Sequence, residues 1–255
     1  MEKKKLIFFD LDDTLLRRDK SLSDKSLRVL KLLQDNGHKI VIDTARNKVS
    51  TMPIIELIKP DYTIINAGGY IINEKQEMIR NLLIDSSTCK KVVDEVKDKA
   101  RIISIQTDDV LYTSDNKDKS PLRTLIDLDG FNGMDCYKVL VYDIEQEYGK
   151  KLARKYNLDF ENYFGGSWSR FCHIDATKAK ALEFITSYEG ADLSDTIAFG
   201  DDYGDIKMIE TSGIGVAMAN ALDDVKKCTK YHCKDCDDDG VARFLDDFFK
   251  LGIYE

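Results

Sequence analysis

Phe9-Asp10-Leu11-Asp12-Asp13-Thr14-Leu15 sets two carboxylates two positions apart, directly behind the apolar run Leu6-Ile7-Phe8-Phe9. Carboxylates at the C-terminal end of a buried strand sit where open α/β sheets bind their ligands. Two close carboxylates repel, and a shared proton or a divalent cation relieves that repulsion. Such a pair alone reads equally well as an Asp-rich turn with N-caps. Three further segments change the balance. Asp43-Thr44-Ala45-Arg46 follows a second apolar run and brings a hydroxyl and backbone N–H groups to the same sheet edge. Lys178 opens a helix and offers a positive charge to an anion. Gly200-Asp201-Asp202-Tyr203-Gly204-Asp205 follows another apolar strand and adds carboxylates on a turn. Phosphate together with Mg²⁺ accounts for this mixture. Hard oxygen ligands hold the metal, while a hydroxyl and an ammonium neutralise phosphoryl oxygens.

Residues so far apart in sequence need a scaffold to bring them together. Short apolar runs at 6–9, 39–42, 62–65, 196–199 and 213–216 read as strands. Between and after them, helices are expected around Leu27, Leu30 and Leu33 (with Gly37 as a left-handed C-cap), and at 52–58, 179–188, 206–210, 223–227 and 241–249. Strands alternating with helices form right-handed βαβ units, hence an α/β fold with a doubly wound parallel sheet. The middle of the chain differs. Helix at 86–100, strands at 101–106 and 110–113, a polar irregular stretch at 116–132, a strand at 137–142, helix at 145–156 and strands at 160–164 and 170–174 describe an α+β insert. The expected organisation is a core from 1–81 and 176–255 with an inserted domain at 82–175.

Composition narrows the class. At ~150 residues per domain, 255 residues make one large or two modest domains. Among the acids, 34 are Asp and 12 are Glu, so caps, turns, strand ends and metal sites are plentiful. With 43% hydrophobic residues the chain is globular, and its net charge of −8 argues against a nucleic-acid partner. No apolar run reaches the roughly 18 residues that span a membrane, and Lys3-Lys4-Lys5 is followed by too short an apolar stretch for a signal peptide. A cytoplasmic location is expected, with the six cysteines as reduced thiols.

In these motifs the chain resembles the haloacid dehalogenase-like hydrolase superfamily, and within it the Cof-type phosphatases. The DxDxT pattern falls on Asp10-Leu11-Asp12-Asp13-Thr14, the motif II Thr on Thr44, the motif III Lys on Lys178 and the motif IV acids on Asp201 and Asp205. The tail segments Gly215-Val216-Ala217-Met218-Ala219-Asn220-Ala221 and Asp239-Gly240-Val241-Ala242 also look like Cof sequences. The resemblance implies a Rossmann-like core with a C2-type cap as the insert, and Mg²⁺-dependent hydrolysis of a small phosphorylated metabolite such as a sugar phosphate or phosphorylated cofactor. Asp10 would be the nucleophile, giving an aspartyl-phosphate, and Asp12 the general acid and base. Asp10, Asp201 and the backbone carbonyl of Asp12 would hold the metal, with Asp205 ligating or supporting. Thr44 and Lys178 would bind the phosphoryl group. Asp12 favours a phosphatase over a dehalogenase, which lacks that acid. Arg46, Asn66, Trp168, Arg170 and Asn220 are the candidate substrate contacts, with Arg123 a further cap residue in reach. Arg46 either meets the leaving group or pairs with an Asp at the sheet edge.

Two rival readings accompany this one: a phosphotransferase or mutase of the same superfamily, and a phospho-ligand-binding module without turnover. Departures from the family pattern occur at Ala45, at Asn66-Ala67-Gly68 and at Gly204, and predict retained but altered activity. Substrate identity and oligomeric state are left open. Two other patterns have plainer explanations. Asp235, Asp237, Asp239 and Asp246 imitate an EF-hand loop, but the stretch reads as a C-terminal turn. Cys228, Cys233 and Cys236 lack a fourth ligand of their own kind and read as ordinary thiols.

Overall fold

Four consecutive apolar side chains suit a strand covered on both faces, and β1 (Leu6–Phe9), buried at every position, is such a strand. The computed structural model describes residues 3–117, 123–163 and 167–254. After β1 come α1 (Asp24–Asp35), β2 (Lys39–Asp43), α2 (Lys48–Ile58) and β3 (Tyr62–Ile65). Ser23 caps α1 by accepting from the Ser26 N–H, and Gly37, at φ +82°, lets the chain leave the helix. A hairpin follows, β4 (Tyr70–Asn73) and β5 (Met78–Asn81).

The middle of the chain builds a second sheet. Its elements are α3 (Ser86–Val96), β6 (Ile102–Gln106), β7 (Leu111–Thr113), β8 (Arg123–Leu125), β9 (Lys138–Tyr142), α4 (Gln146–Tyr156), β10 (Leu158–Tyr163) and β11 (Trp168–His173). The strand order is β10-β11-β9-β6-β7-β8. Period-two alternation divides its faces. Ile103, Ile105, Val139, Val141 and Phe171 pack with Val92, Val93 and Val96 of α3 and Leu152 of α4. The alternate positions, among them Lys138, Glu161, Tyr163, Trp168 and Arg170, form the other face.

The chain then returns to the first sheet with α5 (Lys178–Tyr188), β12 (Thr196–Gly200), α6 (Ile206–Thr211), β13 (Ile214–Ala217), α7 (Asp223–Lys227), β14 (Tyr231–His232) and α8 (Gly240–Phe249). The strand order β14-β13-β12-β1-β2-β3-β4-β5 puts β1 inside, with both N- and C-terminal segments of the chain beside it. One core holds Ile7 and Phe9 with α1 and α8; the other holds Leu6 and Phe8 with α5. Helices on both faces make this a doubly wound α/β sheet.

The parallel expectation holds from β14 to β3 and fails at the edge, where β3-β4-β5 is antiparallel. The hairpin has no Gly or Pro at its tip. Its turn is made instead by Asn73, whose Oδ1 accepts from the Lys75 and Glu77 N–H groups, and by Gln76 at φ 60°. β8 likewise lies in the stretch read as irregular, paired in parallel with β7. The Phe164 end of the strand expected at 160–164 falls outside the described residues. No helix among the described residues is long and apolar enough to cross a membrane.

Candidate active site

The C-terminal ends of β1, β2 and β12 converge under the polar face of the second sheet. Asp10 leaves β1 with its N–H donating to Phe199 O at 3.1 Å. The chain then reverses tightly: Asp13 takes φ 60°, and Leu16 N–H donates to Leu11 O at 2.8 Å. That reversal lets Asp10 and Asp12, two residues apart, both line the same cavity, where a continuing strand would also have aligned their side chains but carried Asp12 away from the sheet edge. Thr14, closing the same loop, donates its hydroxyl to Asp201 Oδ1 at 2.7 Å.

Lys178 is the first residue of α5, where a positive charge opposes the helix dipole. Carboxylates offset that local cost: its ammonium, 6% exposed as a residue, donates to Asp10 Oδ1 at 2.6 Å and to Asp205 Oδ1 at 2.5 Å. Asp205 uses its second oxygen to accept from the Asp201 and Asp202 N–H groups at 3.0 and 3.1 Å. This folding-back requires Gly200. A Cβ there would stand 2.3 Å from the Asp205 Cβ.

Oxygens from Asp10, Asp201 and Asp205 lie within 4.8 Å of one another. Burial, opposed by Lys178 and reinforced by the charge of Asp205, pushes Asp10 up to about 7. Burial and the charges of Asp10 and Asp205 push Asp201 up to about 8. Three hard oxygen donors whose mutual repulsion exceeds what one lysine neutralises suit a divalent cation. Asp12 behaves oppositely. Burial works to raise it, but hydrogen bonds from Arg46 and Lys20 hold it below the usual carboxylate value.

These groups line a cavity of about 580 Å³, together with Asp13, Thr44, Ala45, Arg46, Asp202, Gly204 and Asn220 from the core and Tyr163 and Trp168 from the second sheet. Of the candidate substrate contacts, the structure thus brings Arg46, Trp168 and Asn220 to the cavity. Arg46 is engaged with Asp12, through Nε at 2.7 Å and Nη2 at 2.6 Å. Asn220 joins two loops, donating to Asp13 O at 2.7 Å and accepting from the Cys236 N–H at 3.0 Å. Asn66 and Arg170 are buried and off the lining. Asn66 supports Arg46 through its backbone, N–H to Arg46 O at 2.9 Å, while Ala67 N–H donates to Thr44 O at 2.8 Å. Arg170 pairs with Glu161 at 2.7 Å. Arg123 lines a separate cavity of about 200 Å³ with Asn47 and Ser50.

The departures from the family pattern have different consequences. Ala45 is outside the set of positive-φ residues, so its Cβ brings no strain, whereas Ala67 does take φ 56°. At Gly204 a Cβ would meet Glu161 Oε1 at 3.5 Å, so the second sheet leans on this turn. Sequence reasoning missed several residues. Lys20, Lys138, Tyr163 and Leu222 carry no local signal. Tyr203 does, since it sits inside the Gly200–Asp205 loop. Asp43 is also unexpected: both its carboxylate oxygens are buried with no hydrogen-bond partner, and burial raises it well above the usual value.

The other patterns are structural. Asp235 and Asp237 hold Arg18, Asp239 holds Arg17, and Asp246 accepts from the Ile253 and Tyr254 N–H groups at 2.9 Å each. Burial pushes the Cys233 and Cys236 thiols up to about 12 and about 11, which keeps both protonated.

Comparison with known proteins agrees with this geometry. Residues 7–245 match the family model for haloacid dehalogenase-like hydrolases. The 5-amino-6-(5-phospho-D-ribitylamino)uracil phosphatase YitU of Bacillus subtilis is 28% identical, over 96% of this chain and 98% of that protein. The pyridoxal phosphate phosphatase YbhA of Escherichia coli is 25% identical, over 94% of this chain and 97% of that one. A haloalkanoate-superfamily phosphatase from Bacteroides thetaiotaomicron shares the fold at a TM-score of 0.85 and 22% identity, covering 96% of this chain and 95% of the other. With its acidic triad, its bridging lysine and this match over nearly its whole length, the chain belongs to the haloacid dehalogenase-like hydrolases, as a Cof-type phosphatase of phosphoric monoesters.

Proposed function

We propose that the chain hydrolyses small phosphorylated metabolites, sugar phosphates or phosphorylated cofactors, through a phosphoryl group carried on Asp10. The observation that carries this reading is Lys178 bridging Asp10 and Asp205 beneath a cavity that also receives Asp12, Thr44 and Asp201. Asp10, Asp201 and the Asp12 carbonyl would hold a divalent cation, Mg²⁺ by preference for carboxylate oxygen, with Asp205 in support. Bound there, it would neutralise phosphoryl charge and keep Asp10 ionised.

The chain's own groups do the rest. Lys178 and the Thr44 hydroxyl orient the phosphoryl oxygens. A carboxylate oxygen of Asp10 attacks phosphorus in line with the leaving oxygen, which takes the proton of Asp12. A water then attacks the aspartyl-phosphate, giving its proton to Asp12 and releasing Asp10 and inorganic phosphate. As placed, Asp12 is ionised by Arg46 and Lys20, which suits the second half-reaction. A phosphate dianion arriving beside it acts the other way, since a neighbouring like charge favours the protonated acid. The second sheet roofs the cavity and limits the water that reaches it.

Hydrolysis of p-nitrophenyl phosphate with Mg²⁺ tests the reading. Acid-quenched enzyme should carry a hydroxylamine-labile phosphate that Asp10→Asn lacks, along with all turnover. Activity surviving in D10N would remove Asp10 from the mechanism.

A further inference from the structure

Two cysteines that the hydrolytic chemistry does not use meet inside the core of the second sheet. Cys136 Sγ donates to Cys89 Sγ at 3.5 Å, across 47 positions of chain, and both residues are fully buried free thiols. Cys89 is the fourth residue of α3. Cys136 lies just ahead of β9, and backbone contacts hold it against the start of that helix. Ile84 N–H donates to Cys136 O at 2.8 Å, and Cys136 N–H donates to Ile84 O at 3.0 Å. Ser86 N–H donates to Asp135 Oδ1 at 2.8 Å. Gly133, at φ +89°, lets the chain lie on the helix, since a Cβ there would stand 2.2 Å from Ser86 O. Backbone register thus sets the distance between the two sulfurs.

The two sulfurs are unequal. The hydrogen bond from Cys136 holds the Cys89 thiol below its ordinary value, against burial and with help from the Met134 N–H. The same bond, and burial after it, pushes Cys136 well above. Cys89 is therefore the readier thiolate, and Cys136 keeps a proton to give. Bonded sulfurs stand about 2.05 Å apart, so these must close by roughly 1.5 Å. Access comes from the helix end. Asp85 caps α3 by accepting from the Thr88 N–H at 3.0 Å, and Cys89 N–H donates to Asp85 O at 2.8 Å. Terminal turns open more readily than the middle of an element, and opening this one uncovers Cys89.

We propose that Cys89 and Cys136 form a redox site, in which a peroxide entering at the opening end of α3 converts the two thiols to a disulfide that ties α3 to the root of β9. The Cys89 sulfur attacks one peroxide oxygen. The O–O bond breaks, and the other oxygen leaves as hydroxide and takes up the proton that Cys89 lost. When the helix recloses, the Cys136 sulfur attacks Cys89, the S–O bond breaks, and the hydroxyl leaves with the Cys136 proton as water. Two thiols are oxidised by two electrons, and one hydrogen peroxide is reduced to two waters. The bond closes a loop containing β6, β7 and β8, which restricts the unfolded chain more than the folded one. It lies next to the seam with the first sheet, because Tyr137 and Lys138 follow. A Cβ on Gly69 would stand 3.0 Å from Tyr137 Cδ1, and Lys138 donates to Ala45 O at 2.7 Å. Neither cysteine lines the catalytic cavity, so the site stands apart from the phosphatase reading.

Reduced full-length protein, exposed to hydrogen peroxide, alkylated with N-ethylmaleimide and digested without reductant, tests this. Mass spectrometry should find the Cys89 and Cys136 peptides joined, two hydrogens lighter than the separate pair, and parted by dithiothreitol. In Cys136→Ala, dimedone should instead label Cys89 as its sulfenic acid. Asp85→Ala, which removes the cap of α3, should speed the crosslink about fivefold. The oxidised chain should melt several degrees above the reduced one, and that difference should vanish in Cys136→Ala. Both cysteines are core positions, so mapping on the unaltered chain settles the outcome if a variant fails to fold. Peroxide that leaves both thiols free in the folded chain would overturn the proposal, as would a disulfide joining other cysteines instead. A rate unmoved by Asp85→Ala, or an oxidised form no more stable than the reduced one, would also overturn it.

Discussion

Arg46 grips Asp12 by both carboxylate oxygens, Nε at 2.7 Å and Nη2 at 2.6 Å, so the proposed acid and base is tied to the loop that carries Thr44. Arg46 is the larger of the two cationic influences that outweigh burial and hold Asp12 below its usual value. Replacing Arg46 by Met should therefore raise the Asp12 pKa. In a profile of kcat against pH, the limb that reports Asp12 as base should move to higher pH. Asp12→Asn should lower kcat by ~10² to 10⁴ and remove that limb. An unmoved limb in R46M would mean that Lys20 alone sets the charge of Asp12.

Lys178→Met leaves Asp10 and Asp205 facing each other without their shared ammonium. Activity should fall by at least ~10², as for other groups that neutralise charge in the transition state. Breaking a buried pair from one side also costs roughly 3–5 kcal/mol of stability. Denaturant titrations should show that loss at pH 7 and a smaller one near pH 4, where Asp10, raised to about 7, is protonated.

The acidic triad makes metal-free stability depend on pH in a defined direction. Asp201 is raised to about 8 in the folded chain, so its contribution to stability is full below about pH 4 and is lost as pH rises toward 8. Without added cation, Asp201→Asn should flatten that decline. Saturating Mg²⁺ should stabilise the unaltered chain, by about 2.7 kcal/mol at a hundred times its Kd, and should do so far less for D201N. Equal Mg²⁺ shifts in both proteins would place the ion elsewhere.

Lys138 joins the two sheets, its ammonium donating to Ala45 O at 2.7 Å. Burial first, then the charge of Arg170, lowers it to about 7. Between about pH 7 and 10 the unfolded chain binds this proton and the folded chain does not, so stability gains up to ~1.4 kcal/mol per pH unit from this group as pH rises. Urea titrations at pH 8 and 9.5 should show a smaller rise for Lys138→Met than for the unaltered chain.

Much of this was legible in the linear chain because local chemistry leaves local marks. The run Leu6–Phe9 ending in Asp10, the spacing of Asp10, Asp12 and Thr14, and the glycine-flanked Asp201–Asp205 loop predict strand ends that carry carboxylates. Buried parallel strands must be continuously apolar, and such runs stand out. The β4–β5 hairpin left a fainter mark, since its turn rests on the Asn73 side chain and a strained Gln76 in place of glycine.

What the sequence determined by itself was the inventory: which strands end in which reactive groups, and in what order. The tertiary structure decided the pairings. It turned Arg46 onto Asp12, set Lys178 between Asp10 and Asp205, withdrew Asn66 and Arg170 from the cavity and brought Tyr163, Trp168, Tyr203 and Leu222 to its lining. Asp10 and Lys178, 168 positions apart, meet only after two sheets have folded and packed. Side-chain contacts at such separations depend on register and packing, and no local pattern of residue types encodes them.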